Sequence, residues 1–171
     1  MKKTVAVLFV MFAVCTAAFS QIPSFRERGY KGNISYTNML IVWNGFDTSH
    51  GYMFNEHHYL GGGVGFFFVP DGLDFPTIVH FYADYHAYCF KKSSTLVAGI
   101  KIGYADSVHP TNGNINALEL EPNVGWNWGL KSGYGITLSL GIYTVTVPVN
   151  FTESSSIPFS AIPRMSLAFE F

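Results

Sequence analysis

The stretch Arg164-Met-Ser-Leu-Ala-Phe-Glu-Phe171 decides the fold class of this chain. Met165, Leu167, Phe169 and Phe171 alternate there with polar or small residues. A strict period of two predicts a β-strand with two different faces. A greasy strand that ends on an aromatic residue is typical of the closing strand of a transmembrane β-barrel, where an aromatic girdle lies at the membrane interface.

The same alternation recurs in the segments 117–130 and 134–146. One face of each segment carries bulky residues such as Trp126 and Leu140, whereas the other carries Gly, Ser, Thr and Asn. Both segments reach the roughly 9–11 residues that a tilted strand needs to cross a bilayer. Small residues fit the interior of a narrow barrel, and large apolar residues fit a lipid environment. This contrast predicts a barrel whose apolar face points outward.

The composition supports a membrane barrel of one domain and excludes other classes. Charged residues make up 12% of the 171-residue chain, roughly half the usual share, and aromatic residues make up 17%. No segment after the N-terminal region has the run of about 18 apolar residues that indicates a membrane helix. The absence of a basic patch argues against a nucleic-acid partner.

The N-terminus predicts export. Lys2 and Lys3 precede an uncharged run to Phe19, and Ala18-Phe19-Ser20 supplies small residues at a cleavage site. Residues 1–20 are thus predicted to be a cleaved signal peptide and 21–29 a short periplasmic segment. A retained anchor and lipidation at Cys15 are weaker alternatives, because the run is short and no small residue directly precedes that cysteine.

Turn signals divide residues 30–171 into an all-β, eight-stranded, antiparallel, up-and-down transmembrane barrel. Three longer connections are expected at Pro70–Phe75, Asp106–Asn114 and Pro148–Ala161, and a further loop at Asn44–Ser49. Strand one should continue to Trp43, although Met39 changes face, which a bulge or an early loop would explain. The predicted strands are 30–43, a second reaching 54, 59–69, 77–90, 95–105, 115–130, 134–147 and 162–171.

Alternation also predicts which polar side chains share the lumen. Charges in a narrow interior must pair, so the simplest interpretation is a structural polar core that fills the barrel; a proton-coupled or ligand-binding lumen is the functional alternative. Eight strands leave no aqueous channel. The predicted lumen network comprises His80, Asp84, His86, Lys101, Glu119, Glu121, Arg164 and Glu170.

Other candidate chemistry is weakly supported by the sequence. Two loops were expected to gather the residue types of a lipid-modifying enzyme: Asp47, Ser49 and His50, and Asp106, Ser107 and His109. Neither serine has a nucleophile motif. The neighbouring His57 and His58 lack a zinc-type spacing and are expected to be solvated turn residues. Gly61, Gly63 and Gly65 are expected to make room in the lumen for a bulky neighbour or to help the strand curve.

The chain resembles the small eight-stranded outer-membrane barrels of Gram-negative bacteria, of the OmpA/OmpX type. The resemblance spans the predicted mature chain and is carried by 28–32, 50–55, 60–65, 81–84, 100–104, 122–125 and Phe171. It implies an outer-membrane location with both termini periplasmic, a monomer surrounded by membrane lipid and lipopolysaccharide, and folding by the outer-membrane assembly machinery, with Phe169 and Phe171 as the signal. It implies no catalytic residues, cofactor or metal.

These observations predict a non-enzymatic protein with an envelope-structural role, or one that binds an unidentified extracellular ligand through its loops. A lipid A deacylase or acyltransferase on the same scaffold is the second hypothesis. The third is a soluble, secreted ligand-binding barrel, in which the bulky faces would point into a cavity.

Overall fold

A computed structural model describes residues 26–39, 43–68, 77–109, 113–130, 133–146 and 159–171, with the backbone alone at 107–109, 113–116, 146 and 159–160. The predicted signal peptide lies outside these residues, as does most of the segment 21–29. None of the described residues belongs to a helix long and apolar enough to span a membrane. The strands are β1 Gly29–Met39, β2 Trp43–Met53, β3 His58–Phe68, β4 Thr77–Tyr88, β5 Ser94–His109, β6 Gly113–Gly129, β7 Gly135–Thr146 and β8 Phe159–Glu170.

Each strand pairs antiparallel with its neighbours in sequence, and β8 pairs with β1 to close the barrel. The predicted fold class, eight antiparallel strands in up-and-down order, is confirmed. A path that steps from each residue to its partner on the next strand goes once around the barrel and returns to β1 ten residues from its start. This stagger corresponds to a strand tilt of about 40° to the barrel axis. The path runs through Gly29, Met53, Tyr59, His86, Gly99, Asn123, Gly141, Arg164 and Met39.

Large apolar side chains point outward on every strand, as the alternation predicted. Tyr30 is 66% exposed and Leu118 is 64% exposed. Most inward residues of the same strands are small, polar or charged, and the larger inward side chains, Met39, Met53, Phe67 and Tyr143 among them, are buried inside the barrel. The bulky faces therefore do not enclose a cavity, and the hypothesis of a soluble ligand-binding barrel is wrong on this point.

The predicted loop Asn44–Ser49 is wrong, because these residues lie within β2. Asn, Gly, Asp and Ser have low strand propensity, but tertiary packing overrides it: Asp47 and Ser49 are buried inside the barrel. The predicted loop Asp106–Asn114 is also wrong for most of its length, since β5 runs to His109 and β6 begins at Gly113. The connection between them is three residues, 110–112.

Strand β1 ends at Met39, and its pairing with β2 is continuous, so no bulge interrupts it. Met39 points inward into an apolar layer with Phe67 and Tyr143, which we call the outer apolar layer. A second layer, the inner apolar layer, consists of Met53, Tyr59, Tyr88 and Val97. It lies near the end of the barrel where β1 begins and β8 ends, which is called below the end that carries the termini. The polar lumen lies between these two layers.

Candidate functional site

The eight predicted lumen residues all lie on inward faces. His86 is partly buried, and the other seven are buried. They come from four strands: β4 supplies three, β5 one, β6 two and β8 two. β4, β5 and β6 follow one another along the chain and pair directly, whereas β8 is distant in sequence from all three. Arg164 of β8 nevertheless pairs with Glu121 of β6 inside the barrel.

Asp47 is the centre of the lumen network, although the sequence placed it in a loop. It is 2% exposed, and its Oδ2 accepts hydrogen bonds from the hydroxyls of Thr37 at 2.8 Å and Ser35 at 3.3 Å. The same oxygen pairs with the Arg164 guanidinium and lies 3.9 Å from Lys101 Nζ. The period of two could have predicted its inward position, because Asp47 and Ser49 alternate with Phe46 and Thr48.

His80 bridges two carboxylates in the same cluster. Its Nε2 lies 2.7 Å from Asp47 Oδ1 and its Nδ1 lies 3.0 Å from Glu119 Oε1. The ring is fully buried and stacks on Phe67 with 4.7 Å between centroids. Both ring nitrogens face carboxylate oxygens, so a protonated imidazole would donate to Asp47 and to Glu119. The residue therefore neutralises charge, and its nitrogens are not free for catalysis.

The cluster is electrically balanced. Arg164 pairs with Glu121 as well as with Asp47, and its guanidinium carbon lies 5.0 Å from the Phe67 ring centroid. Lys101 Nζ lies 4.6 Å from the Tyr82 ring centroid. Three acids therefore face three cations, as buried charges require. The acids are Asp47, Glu119 and Glu121, and the cations are His80, Lys101 and Arg164.

A second cluster lies nearer the chain termini, around Glu170. Its carboxylate lies 3.1 Å from Lys31 Nζ and accepts hydrogen bonds from the hydroxyls of Tyr88, at 3.2 Å, and Thr137. Arg26, which precedes β1, lies 4.3 Å above the Tyr88 ring and donates to Asn127. Burial lowers the pKa of the Arg26 guanidinium, and the nearby Tyr88 and Glu170 oppose that change. Sequence reasoning assigned no partner to Glu170, and the structure assigns it Lys31.

A small cavity lies between the two clusters. Its volume is about 30 Å³, and its walls include Asp84, His86, Lys101, Glu121 and Glu170. His86 Nε2 lies 3.0 Å from Asp84 Oδ1. A polar cavity of this size has room for about two water molecules. It is too small for an organic substrate, which needs a pocket of roughly 300 Å³ or more.

Three inward glycines of β3 give the network its room. A Cβ at Gly63 would lie 2.5 Å from Tyr82 Cζ, and one at Gly65 would overlap Asp47 Oδ1 and His80 Nε2. A Cβ at Gly61 would overlap the Tyr59 hydroxyl. The glycines therefore occupy positions where neighbouring side chains cross the lumen, as the sequence predicted.

The residues of the predicted enzyme clusters are not assembled as a catalytic triad where the structure describes them. Ser49 points inward to Tyr59, with 2.8 Å between hydroxyls, whereas His50 points outward and lies 2.6 Å from the Tyr30 hydroxyl. Asp106, Ser107 and His109 lie in β5 and not in a loop. The side chains of Ser107 and His109 lie outside the described residues.

The adjacent His57, in the β2–β3 turn, and His58, at the start of β3, each hydrogen-bond to β4. His57 Nδ1 lies 2.6 Å from the Tyr88 carbonyl oxygen, and His58 Nδ1 lies 2.8 Å from the Tyr85 hydroxyl. Among the described residues, no group of three or more His, Cys, Asp or Glu side chains is arranged to hold a metal ion.

The two terminal phenylalanines contact the outer surface of the barrel seam. Phe169 is exposed and stacks on Tyr134 with 5.7 Å between ring centroids. The Phe171 ring lies over Gly32, where a Cβ would be 2.8 Å from its Cε2. The backbones of Gly32 and Phe171 exchange two hydrogen bonds, at 2.8 and 2.9 Å.

Comparison with known proteins identifies the fold. The N-terminal β-barrel domain of Pseudomonas aeruginosa OprF matches with a TM-score of 0.57 at 10% identity, over 85% of this chain and 98% of that domain. Neisserial surface protein A matches with a TM-score of 0.53 at 8% identity, over 84% of this chain and 92% of that protein. No protein-family model and no curated protein sequence matches. The fold is that of the eight-stranded outer-membrane β-barrels.

Proposed function

We propose that this protein is an integral outer-membrane β-barrel without enzymatic activity, which strengthens the envelope or binds a surface partner. The observation that carries the proposal is the outward apolar face on all eight strands. In water such a surface would be far larger than the few hundred Å² that soluble monomers expose in one patch. In a bilayer it meets lipid, and the closed sheet leaves no unpaired edge.

The lumen supports a structural role for the barrel. Its charges are paired with one another, its cavity is small, and an apolar layer lies towards each end. A general porin needs a hydrated passage, and the part of the lumen formed by the described residues shows none. The functional contacts of the protein would then be made by its outer surface and its loops.

The lengths of the longest connections support one orientation. Those at the end that carries the termini are short: 54–57, 89–93 and 130–134. The two longest, 69–76 and 147–158, are at the opposite end. Short turns face the periplasm in known barrels, so we propose that both termini are periplasmic and that the longer loops meet the extracellular partner. Membrane lipid and lipopolysaccharide would surround a monomer.

The assembly machinery is a proposed partner through the last strand. Phe169 is exposed on β8 and Phe171 is half-buried against Gly32, and a recognition factor would contact them before the barrel closes. Deleting Phe171 should lower the amount of folded protein in the outer membrane.

Fractionation and a heat-modifiability gel test membrane insertion. The exported protein should require detergent for extraction and should migrate differently before and after boiling. Recovery in the soluble periplasm with no boiling-dependent shift would overturn the proposal. A deletion strain should keep an unchanged lipid A acylation profile, since we propose no lipid-directed activity.

A further inference from the structure

Among the described residues, the basic side chains outside the lumen all lie at one end of the barrel. After residue 20, Arg26, Lys31, Lys101 and Arg164 lie in the lumen or its mouth. Arg28, Lys91 and Lys92 are exposed at the end that carries the termini. Lys131 follows β6 in sequence and lies outside the described residues.

The four connections of the opposite end have the reverse composition. Residues 40–42, 69–76, 110–112 and 147–158 contain no Lys or Arg, but they include Asp71, Asp74 and Glu153. The two rims of the barrel therefore carry charges of different sign and attract surfaces of different charge. The rim that carries the termini is the one suited to an anionic surface.

The β4–β5 turn places two cations directly beside aromatic side chains. Phe90 is 48% exposed and is followed by the exposed Lys91 and Lys92. Trp126 is exposed on β6, and its indole Nε1 donates to Ser94 Oγ at 2.6 Å. Exposed Trp and Phe at strand ends lie at the membrane interface in barrels, so the adjacent ammonium groups reach the headgroup level. We call Phe90, Lys91, Lys92 and Trp126 the β4–β5 patch.

Nearby carboxylates do not fully neutralise the positive charge of Lys91 and Lys92. Lys91 Nζ lies 3.0 Å from Glu56 Oε2, but the two side chains are 64% and 38% exposed, and such surface pairs are weak. Lys92 is exposed, and its backbone carbonyl oxygen accepts a hydrogen bond from Arg26 Nη1 at 3.2 Å.

We propose that the β4–β5 patch docks anionic phospholipid headgroups of phosphatidylglycerol chemistry. The phosphate would lie against the ammonium groups of Lys91 and Lys92, and the acyl chains would lie against Phe90 and Trp126. The inference rests on the proposed membrane insertion and adds a lipid preference to it. Basic residues near an anionic lipid surface contribute enough free energy for about a fivefold preference each.

The test uses the full mature chain refolded into two kinds of vesicle, phosphatidylethanolamine alone and phosphatidylethanolamine mixed with phosphatidylglycerol. Native mass spectrometry then counts the lipids retained by the released barrel. Wild type should retain phosphatidylglycerol in preference to phosphatidylethanolamine. Lys92→Gln should lower this enrichment about fivefold, the double variant Lys91→Gln/Lys92→Gln should lower it further, and high salt should weaken it.

Thr77→Glu is the matched control, because it changes the net charge by the same amount as Lys92→Gln at an exposed position of the opposite end. It should leave the enrichment unchanged. Equal enrichment in wild type and the double variant, or an equal loss in Thr77→Glu, would overturn the inference. A heat-shifted band in every vesicle shows that insertion has occurred, so failure of insertion and failure of lipid preference are read separately.

Discussion

Asp47 is the residue on which the lumen cluster that contains His80 and Arg164 depends most. Its two oxygens contact hydroxyls, a guanidinium and an imidazole, and it is almost fully buried. We expect Asp47→Asn to destabilise the barrel by about 3–5 kcal/mol, because it leaves buried cations without their partner. Urea unfolding in lipid vesicles measures this change. Phe46→Leu, at the preceding position, whose side chain faces the lipid, is the control. A loss of stability in Asp47→Asn no larger than in that control would contradict the role assigned to Asp47.

Gly65 and Gly62 give a matched pair of substitutions on one strand. A Cβ at Gly65 overlaps the Asp47 and His80 side chains, whereas a Cβ at Gly62 has Tyr82 O, at 3.6 Å, as its nearest neighbour. Gly65→Ala should therefore lower the folded fraction on a heat-modifiability gel, and Gly62→Ala should fold as wild type. The same effect from both would show that β3 requires glycine for some reason other than room in the lumen.

Inward and outward residues could be read from the sequence where alternation is uninterrupted. His80 and Asp84 illustrate this, since a period of two in β4 puts both on the lumen side. Asp47 was missed because its neighbours Gly45 and Ser49 have low strand propensity. Packing keeps these residues in β2, since Gly45 faces Phe67, and Ser49 bonds to Tyr59.

At the scale of elements, the β1–β8 seam is held partly by the fit of Phe171 onto Gly32. Gly32→Val should displace this ring and lower the folded fraction, although the terminal phenylalanine remains present. A gel of the variant before and after boiling measures the folded fraction. Normal folding of Gly32→Val would show that the ring contact does not contribute to closure.

The β6–β7 ladder has a gap that a substitution can close. Pairs are present at Leu120↔Thr144 and Asn123↔Gly141, but not at Glu121 and Pro122, where proline has no N–H to donate. Pro122→Val should add about 1 kcal/mol of stability and slow amide exchange at Ile142. Pro163→Val is the control, because Pro163 lies one residue beyond the last β1–β8 pair, Met39↔Arg164. Unchanged exchange at Ile142 would contradict this reading of the gap.

Strand number and order could be predicted from turn signals, but strand ends could not. The predicted loop Asp106–Asn114 contains Pro, Asn and Gly, which mark turns. In the structure, β5 and β6 continue their pairing through most of this segment. Cross-strand pairing extends strands beyond the point where local propensity would end them.

For the whole molecule, the closed lumen predicts the absence of porin-like conductance. Purified wild type in a planar bilayer should give no stepwise currents, because paired charges and two apolar layers fill the barrel. Stepwise currents from wild type would show that the polar network opens.

The sequence by itself determined that this chain forms an eight-stranded barrel with its apolar face outward. A period of two assigns each residue to one face of its strand, and this assignment does not depend on distant partners. Only the tertiary structure decided which charges meet inside. Arg164 and Asp47 are 117 residues apart, and they meet because closure with a ten-residue stagger brings β8 and β2 to the same height on either side of β1. Register is a property of all eight pairings together, so no local segment encodes it.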